Sequence, residues 1–374
     1  MTRTYDPAPP LSRADMPRDF AISLHGYTQG RTTRIPEDRG PAQDMDGFDP
    51  DYRNVVDYIV RITHRIWETD AREVDYIEAC YAPESRVFDD YGLQIGNAKI
   101  VADTHHTTGA FPDVVLDAEE VIWAGDAARG FHTSHRVRIQ GTNTGPSRHG
   151  DATGRSIDVM CIANCVALRN DIYLEHVIYN TSKMLMDLGL DPWAEAARLA
   201  AEPPAGWPRS DAVWAELQSA AAPDRPLSEA DPVDGFDPDA FARRAHDSIW
   251  NCGMKALSAD YAEDVAFEGT SGRAFTGVVA YRDYVESLRA CLPDLRLAVA
   301  EVYWMGNDDD GWLVATRWTA EGTHLGGTLL GEPTGRRCRV WGITQSEVRD
   351  GRVLREWQLF NEFDLMMQVC AART

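Results

Sequence analysis

The chain has 374 residues, enough for two ordinary domains that each bury a core. Its 59 acidic residues against 37 basic ones give a formal charge of −22, which repels nucleic acid phosphates and anionic membrane surfaces and argues against both as partners. Seven cysteines without CxxC spacing read as free thiols in a reducing compartment, and no apolar run resembles a signal peptide or a bilayer span, so the expected location is the cytoplasm.

Residues 1–46 are polar and broken by Pro, Arg and Asp, and read as an extension. Tyr52, Val55, Val56, Ile59, Ile62 and Ile66 then recur at helical spacing behind an Asp-rich start suited to a helix N-terminus. A second helical stretch is expected around Val74, Ile77 and Tyr81, and a third from about Asn97 to Ala110. After Pro112 the periodicity changes to alternation. Phe131, Thr133, His135, Val137 and Ile139 share one strand face, with Arg136 and Arg138 on the other. The strand Ile157 to Leu168 is apolar on both faces, so it is expected to be covered on both, one side by helices and the other by a second sheet. On the last strand the alternation puts Ile172, Leu174, His176, Ile178 and Asn180 on one face, and Glu175 outside as an ion-pair partner for Arg136.

The pattern then repeats. "FPDVVLDAEEVIWAGD" from Phe111 answers "LPDLRLAVAEVYWMGN" from Leu292, an offset of 181 between Pro112 and Pro293. The same offset pairs "HRVRIQGTNTG" from His135 with "TRWTAEGTHLG" from Thr316, and "YLEHVIYN" from Tyr173 with "LREWQLFN" from Leu354. "YAPESRVF" from Tyr81 pairs with "YAEDVAF" from Tyr261, and Trp67 with Trp250. "RDGR" at Arg349 to Arg352, with "RNDI" in the first copy, marks a hairpin turn. The chain is thus a tandem duplication: an extension over 1–46, a first domain over 47–189, a linker over 190–234 and a second domain over 235–374. Each copy is α+β, helices first and then a curved antiparallel sheet that leaves a cone-shaped pocket. The copies are expected to pair as an internal pseudo-dimer, with a homodimer open to them.

"GTHLGGTLLGEPTGRR" from Gly322, followed by "DGRVLREWQLFNEFDLMMQ" from Asp350, resembles the SnoaL-like polyketide cyclases of the nuclear transport factor 2-like fold. The resemblance covers the second copy and reaches the first through the repeat. It implies two cone-shaped α+β barrels, and an acid or base four residues after the last strand's Trp. Here that position is Asn361, and Asn180 in the first copy, so the family's aspartate is replaced by an amide. "YAPESRVFDD" is similar to the ketosteroid isomerase segment that carries a general base, and the match places that base at Asp89. The second copy has Gly269 there.

The first copy therefore gathers Asp89, His135 and His176 as the expected catalytic set. Asn180, Asp90, Trp67, His324, Trp357 and Asn361 are the expected substrate contacts. An apolar-walled carboxylate suits abstraction of a proton next to a carbonyl. The expected function is a cofactor-independent isomerase, cyclase or lyase acting on a small carbonyl-containing metabolite in the first pocket. Alternatives are a non-catalytic small-molecule carrier and a sheet-mediated assembly module. An inward His is more often a hydrogen-bonded core residue than a catalyst, and His324 reads equally as a turn residue. No metal is expected: adjacent His105 and His106 diverge on a helix, and His132 and His135 lie on opposite strand faces.

Overall fold

The computed structural model describes residues 11–28, 34–219 and 235–371. The chain divides into two compact units, 1–190 and 191–374. In the first, the short helix α1 (Leu24–Thr28) precedes α2 (Val55–Trp67), α3 (Ile77–Cys80), the strands β1 (Tyr81–Phe88) and β2 (Leu93–Ile95), and α4 (Asn97–Ala110). Four strands follow, β3 (Val115–Asp126), β4 (Gly130–Thr142), β5 (Ser156–Leu168) and β6 (Asp171–Ile178), and then α5 (Thr181–Asp187).

The six strands form one sheet in the order β2-β1-β6-β5-β4-β3, antiparallel except for the β1–β6 pair. The β4–β5 ladder is continuous, while register shifts interrupt β3–β4 between Ala118 and Glu120 and β5–β6 between Val166 and Ala167. Helix α2 starts where Asn54 accepts the Asp57 amide (2.8 Å) as an N-cap. Its Ile59, Ile62 and Ile66 face the sheet. Val87, Phe111, Leu116, Val137, Val159 and Val177 form the core on that side. Each such side chain contributes about 1.5–3 kcal/mol by leaving water. Tyr81, expected in a helix, begins β1, because the helical stretch from Val74 ends after one turn of α3.

The second unit opens with α6 (Pro192–Ala201) and α7 (Asp211–Ser219). It then repeats the plan: α8 (Pro238–His246), α9 (Leu257–Asp260), β7 (Tyr261–Gly269), β8 (Ala274–Thr276), α10 (Val278–Cys291), β9 (Arg296–Asn307), β10 (Gly311–Thr323), β11 (Arg337–Arg349), β12 (Arg352–Phe360) and α11 (Glu362–Ala371). The sheet order β8-β7-β12-β11-β10-β9 is that of the first domain position for position. Fold class and duplication are therefore as the repeat indicates: two α+β domains in tandem. The β11–β12 turn places Asp350 and Gly351 at φ 51° and 70°, the left-handed pair that a two-residue hairpin loop requires.

The segments outside the repeat are folded against their own domains. In the first, Leu24 is fully buried, the Leu24 and His25 amides donate to Glu120 (3.2 and 3.1 Å), and Trp123 donates to the Ile22 carbonyl (2.8 Å). In the second, the expected linker supplies α6 and α7. Trp214 donates to Glu321 (2.6 Å), and Arg317 to the Leu217 carbonyl (3.0 Å). The rest of that linker, 220–234, lies outside the described residues. Among the described residues no helix is long and apolar enough to cross a membrane. All seven cysteines are free, six of them buried.

Candidate functional site

The first domain encloses a cavity of about 220 Å³ between α2, α4 and the sheet. That exceeds the ~150 Å³ known to admit a benzene ring, so a bicyclic molecule fits. Most of its wall area is apolar. Buried acid and imidazole groups in that wall are Asp89, His135 and Glu175, with the buried Thr104 and Thr181 hydroxyls also lining it. Trp67 closes the α2 side, and Tyr91, Arg148 and His149 stand at the rim. There the Arg148 guanidinium lies 4.5 Å over the Tyr91 ring, whose hydroxyl meets His149 Nε2 at 3.3 Å.

Each interior polar group has its own environment. Asp89 sits just past the end of β1. Its Oδ1 accepts the Tyr91 and Gly92 amides (both 2.8 Å) and its Oδ2 the Gln94 side chain (2.6 Å). Three donors hold this carboxylate in one orientation.

Glu175, on β6, accepts the Tyr81 hydroxyl on Oε2 (2.9 Å). Burial pushes its pKa up to about 7; Tyr81 opposes the rise and the nearby Asp89 charge adds to it. His135, on β4, is pushed down to about 3 by burial and then by Arg136, so it is neutral. Its Nε2 is buried with no hydrogen-bond partner among the described residues.

The expected site is thus assembled in part. Asp89, His135 and Trp67 line one cavity. His176 does not: it lies on the opposite sheet face, where its ring stacks on Phe88 at 4.9 Å. The cause is the irregularity near the start of β6, where Ile172 pairs with Ala167 but Leu174 with Val166. The extra residue reverses the phase, so Ile172, Glu175, Val177 and Tyr179 share the cavity face. Both faces of β6 are buried, and apolarity alone does not choose between them. Arg136 pairs with Glu119 (2.9 Å), leaving Glu175 for the interior.

The remaining expected contacts are structural. Asp90 accepts the Thr181 hydroxyl (2.6 Å) and the Tyr179 amide (3.3 Å), tying β1 to the end of β6, and does not line the cavity. Asn180, at φ 55°, forms the left-handed N-cap of α5 and also stands outside it. Asn361 accepts the Trp341 amide (2.9 Å) and donates to Asp364 (2.6 Å), joining β11 to α11. His324 is fully buried and meets the Thr334 hydroxyl (3.0 Å), pinning the turn between β10 and β11 as Asn143 does in the first domain. Trp357 alternates with Glu356 and Gln358 and faces away from the buried tyrosines that bond Glu356.

Glu175 and Tyr81 are the site residues that strand parity missed. One signal in the sequence points to them: the pair recurs as Glu356 and Tyr261. In the second domain Glu356 accepts Tyr261 (2.6 Å) and Tyr281 (2.7 Å), and burial again pushes it up to about 7. The surrounding space differs. Tyr281, Tyr284, Phe267 and Phe275 stand where the first domain has Ile100, Asp103, Val87 and Gln94, and the phenylalanine rings stack at 4.6 Å. Trp318 replaces Val137, stacks on Trp250 and donates to Thr344 (3.0 Å). These rings stand at positions whose first-domain counterparts border the cavity.

For a metal, His64, Glu68 and Asp70 bring ligand atoms within 4.8 Å of one another. Glu68 is already engaged by the Arg34 guanidinium and the Leu116 amide (2.9 Å), so a cation occupies that corner.

Residues 240–369 match the family model of SnoaL-like polyketide cyclases. The second domain is SnoaL-like. The first shares the SnoaL-like element order through the repeat, with a cavity where its sister has aromatic rings. Among solved structures, the chain is similar to IdmH of Streptomyces antibioticus, provisionally described as a polyketide cyclase: 22% identity, 36% of this chain, 99% of that one, TM-score 0.32. It is also similar to a protein of Jannaschia sp. CCS1 provisionally described as a SnoaL-like polyketide cyclase (18%, 37% and 99%, 0.33) and to one of Acidithiobacillus ferrooxidans provisionally described as a polyketide cyclase (18%, 38% and 99%, 0.32). Among curated proteins none matches the sequence.

Proposed function

We propose that the first domain is an acid–base enzyme that moves a proton next to the carbonyl of a small, mostly apolar metabolite. The observation that carries this reading is the buried Glu175 carboxyl in the cavity wall, pushed up to about 7 with Asp89 beside it. Two carboxyls in one site with unlike surroundings divide the labour. Ionised Glu175 takes the α-proton and becomes the neutral acid; the electron pair left on carbon delocalises onto the carbonyl oxygen as an enolate. Returning the proton to another carbon isomerises the substrate, attack of the enolate on a second carbonyl cyclises it, and loss of a β-hydroxyl, protonated by the same acid, releases water.

A carboxyl near 7 suits both directions, because comparable amounts of base and acid are present at neutral pH. Asp89 stays fixed by its three donors and acts through its charge on Glu175. Cyclisation, the activity for which the SnoaL-like relatives are named, is one fate of this enolate. The apolar wall excludes water that would otherwise reprotonate it.

The test is α-proton exchange of 2-tetralone, a bicyclic ketone of the cavity's size, followed by NMR in D2O. Wild-type protein should accelerate exchange over buffer, and Glu175→Gln should lose on the order of 100-fold or more of that acceleration. Acceleration that survives in Glu175→Gln would remove this residue from the chemistry.

A further inference from the structure

We propose that the cavity recognises a ligand with two oxygen functions, a carbonyl presented to Glu175 and a hydroxyl bound by His135 Nε2. This rests on the acid–base reading for its carbonyl end, and on separate geometry for its hydroxyl end. His135 is only 4% exposed, lines the cavity and leaves Nε2 without a partner among the described residues. A buried nitrogen left so costs stability, which a bound ligand atom recovers.

The chemistry of that atom follows from the ring. Burial keeps His135 neutral, so it has no charge with which to hold a carboxylate. In a neutral imidazole Nε2 either donates or accepts according to tautomer, and a hydroxyl serves both cases where a carbonyl serves one.

Sheet register gives the spacing. His135 on β4 pairs with Ala163 on β5, which pairs with Val177 on β6, one cavity-facing step from Glu175. Two strand spacings separate β4 from β6, roughly 10 Å between backbones. The side chains between them, Val137, Cys161 and Ala163, offer no charge, so the middle of the ligand is apolar. A fused two-ring skeleton with oxygens at opposite ends meets these conditions.

The matched probes are 2-tetralone and 6-hydroxy-2-tetralone, with Kd measured calorimetrically on the full chain. Wild type should bind the hydroxylated ketone at least about tenfold more tightly, the worth of one buried hydrogen bond. In His135→Leu the two should bind equally, through loss of affinity for the hydroxylated probe alone. His135→Phe gives the same readout should the leucine variant not fold. Equal affinity in wild type, absence of binding by both probes, or a preference that persists without His135 would each overturn the hydroxyl site. Affinity is read at equilibrium, so the two readings fail separately. Glu175-dependent exchange with no hydroxyl preference overturns this inference alone. A preference that depends on His135, in a protein that accelerates no exchange, overturns the acid–base reading alone.

Discussion

At the scale of single residues, Glu175 is governed by two neighbours with opposite effects. Tyr81 donates to it and favours its charged form; Asp89 repels that charge. Tyr81→Phe should therefore move the Glu175 titration upward, and Asp89→Asn should move it downward, as followed by NMR of carboxyl-labelled glutamate. Shifts of the same sign in both variants would mean that the two neighbours are misassigned. His135 was legible in the sequence because simple alternation places it, and Asp89 because one short family-like segment does; Trp67 was marked only by its repeat partner Trp250. His176 and Asn180 were misplaced by one residue of phase, and Asp90, next to a true cavity residue, points to a backbone junction instead.

At the scale of elements, the repeat made the two-domain α+β plan legible and the helical stretch from Asn97 to Ala110 is α4, but the strand order was not read from the sequence. The irregularity in β6 was not legible, because Ile172, Tyr173 and Leu174 are all apolar and nothing in them marks the extra residue. Nor does periodicity tell a filled cone from an open one; that depends on the volumes of side chains far apart in sequence. Gly342 is a case in point. It replaces Cys161 of the first domain, and a Cβ there would lie 2.3 Å from the Trp318 ring and 2.7 Å from the Leu359 carbonyl. The Trp318 ring, where it lies, needs that glycine. Gly342→Ala should cost roughly 1–3 kcal/mol in urea denaturation, with first-domain exchange activity retained. An unchanged midpoint would mean that Trp318 has room to move aside.

At the scale of the whole molecule, three buried carboxyls, Glu120, Glu175 and Glu356, are each pushed up to about 7. Below the ordinary value of 4.5 all are neutral in folded and unfolded chains alike. Above it the unfolded chain ionises first, so stability falls as pH rises to about 7 and then levels, each group accounting for on the order of 3 kcal/mol. The formal charge of −22 acts in the same direction. Asp57, Asp113 and Asp294 are shifted down, and their contribution is lost only as pH falls through the acid range below 4. The urea midpoint should therefore be higher at pH 5 than at pH 8, and Glu356→Gln should reduce the difference. A higher midpoint at pH 8 would show that these carboxyls ionise freely in the folded protein.

The tandem plan thus pairs an aromatic-rich SnoaL-like domain with one whose cavity wall carries a titrating glutamate and, two strands away, a neutral histidine. The measurement that reaches this claim most directly is the pH dependence of 2-tetralone exchange by the full chain. If Glu175 is the base, the rate rises with pH through an inflection near 7 and levels above it, and the inflection disappears in Glu175→Gln. A rate already level by pH 5, or one whose inflection is unchanged in that variant, would contradict the account.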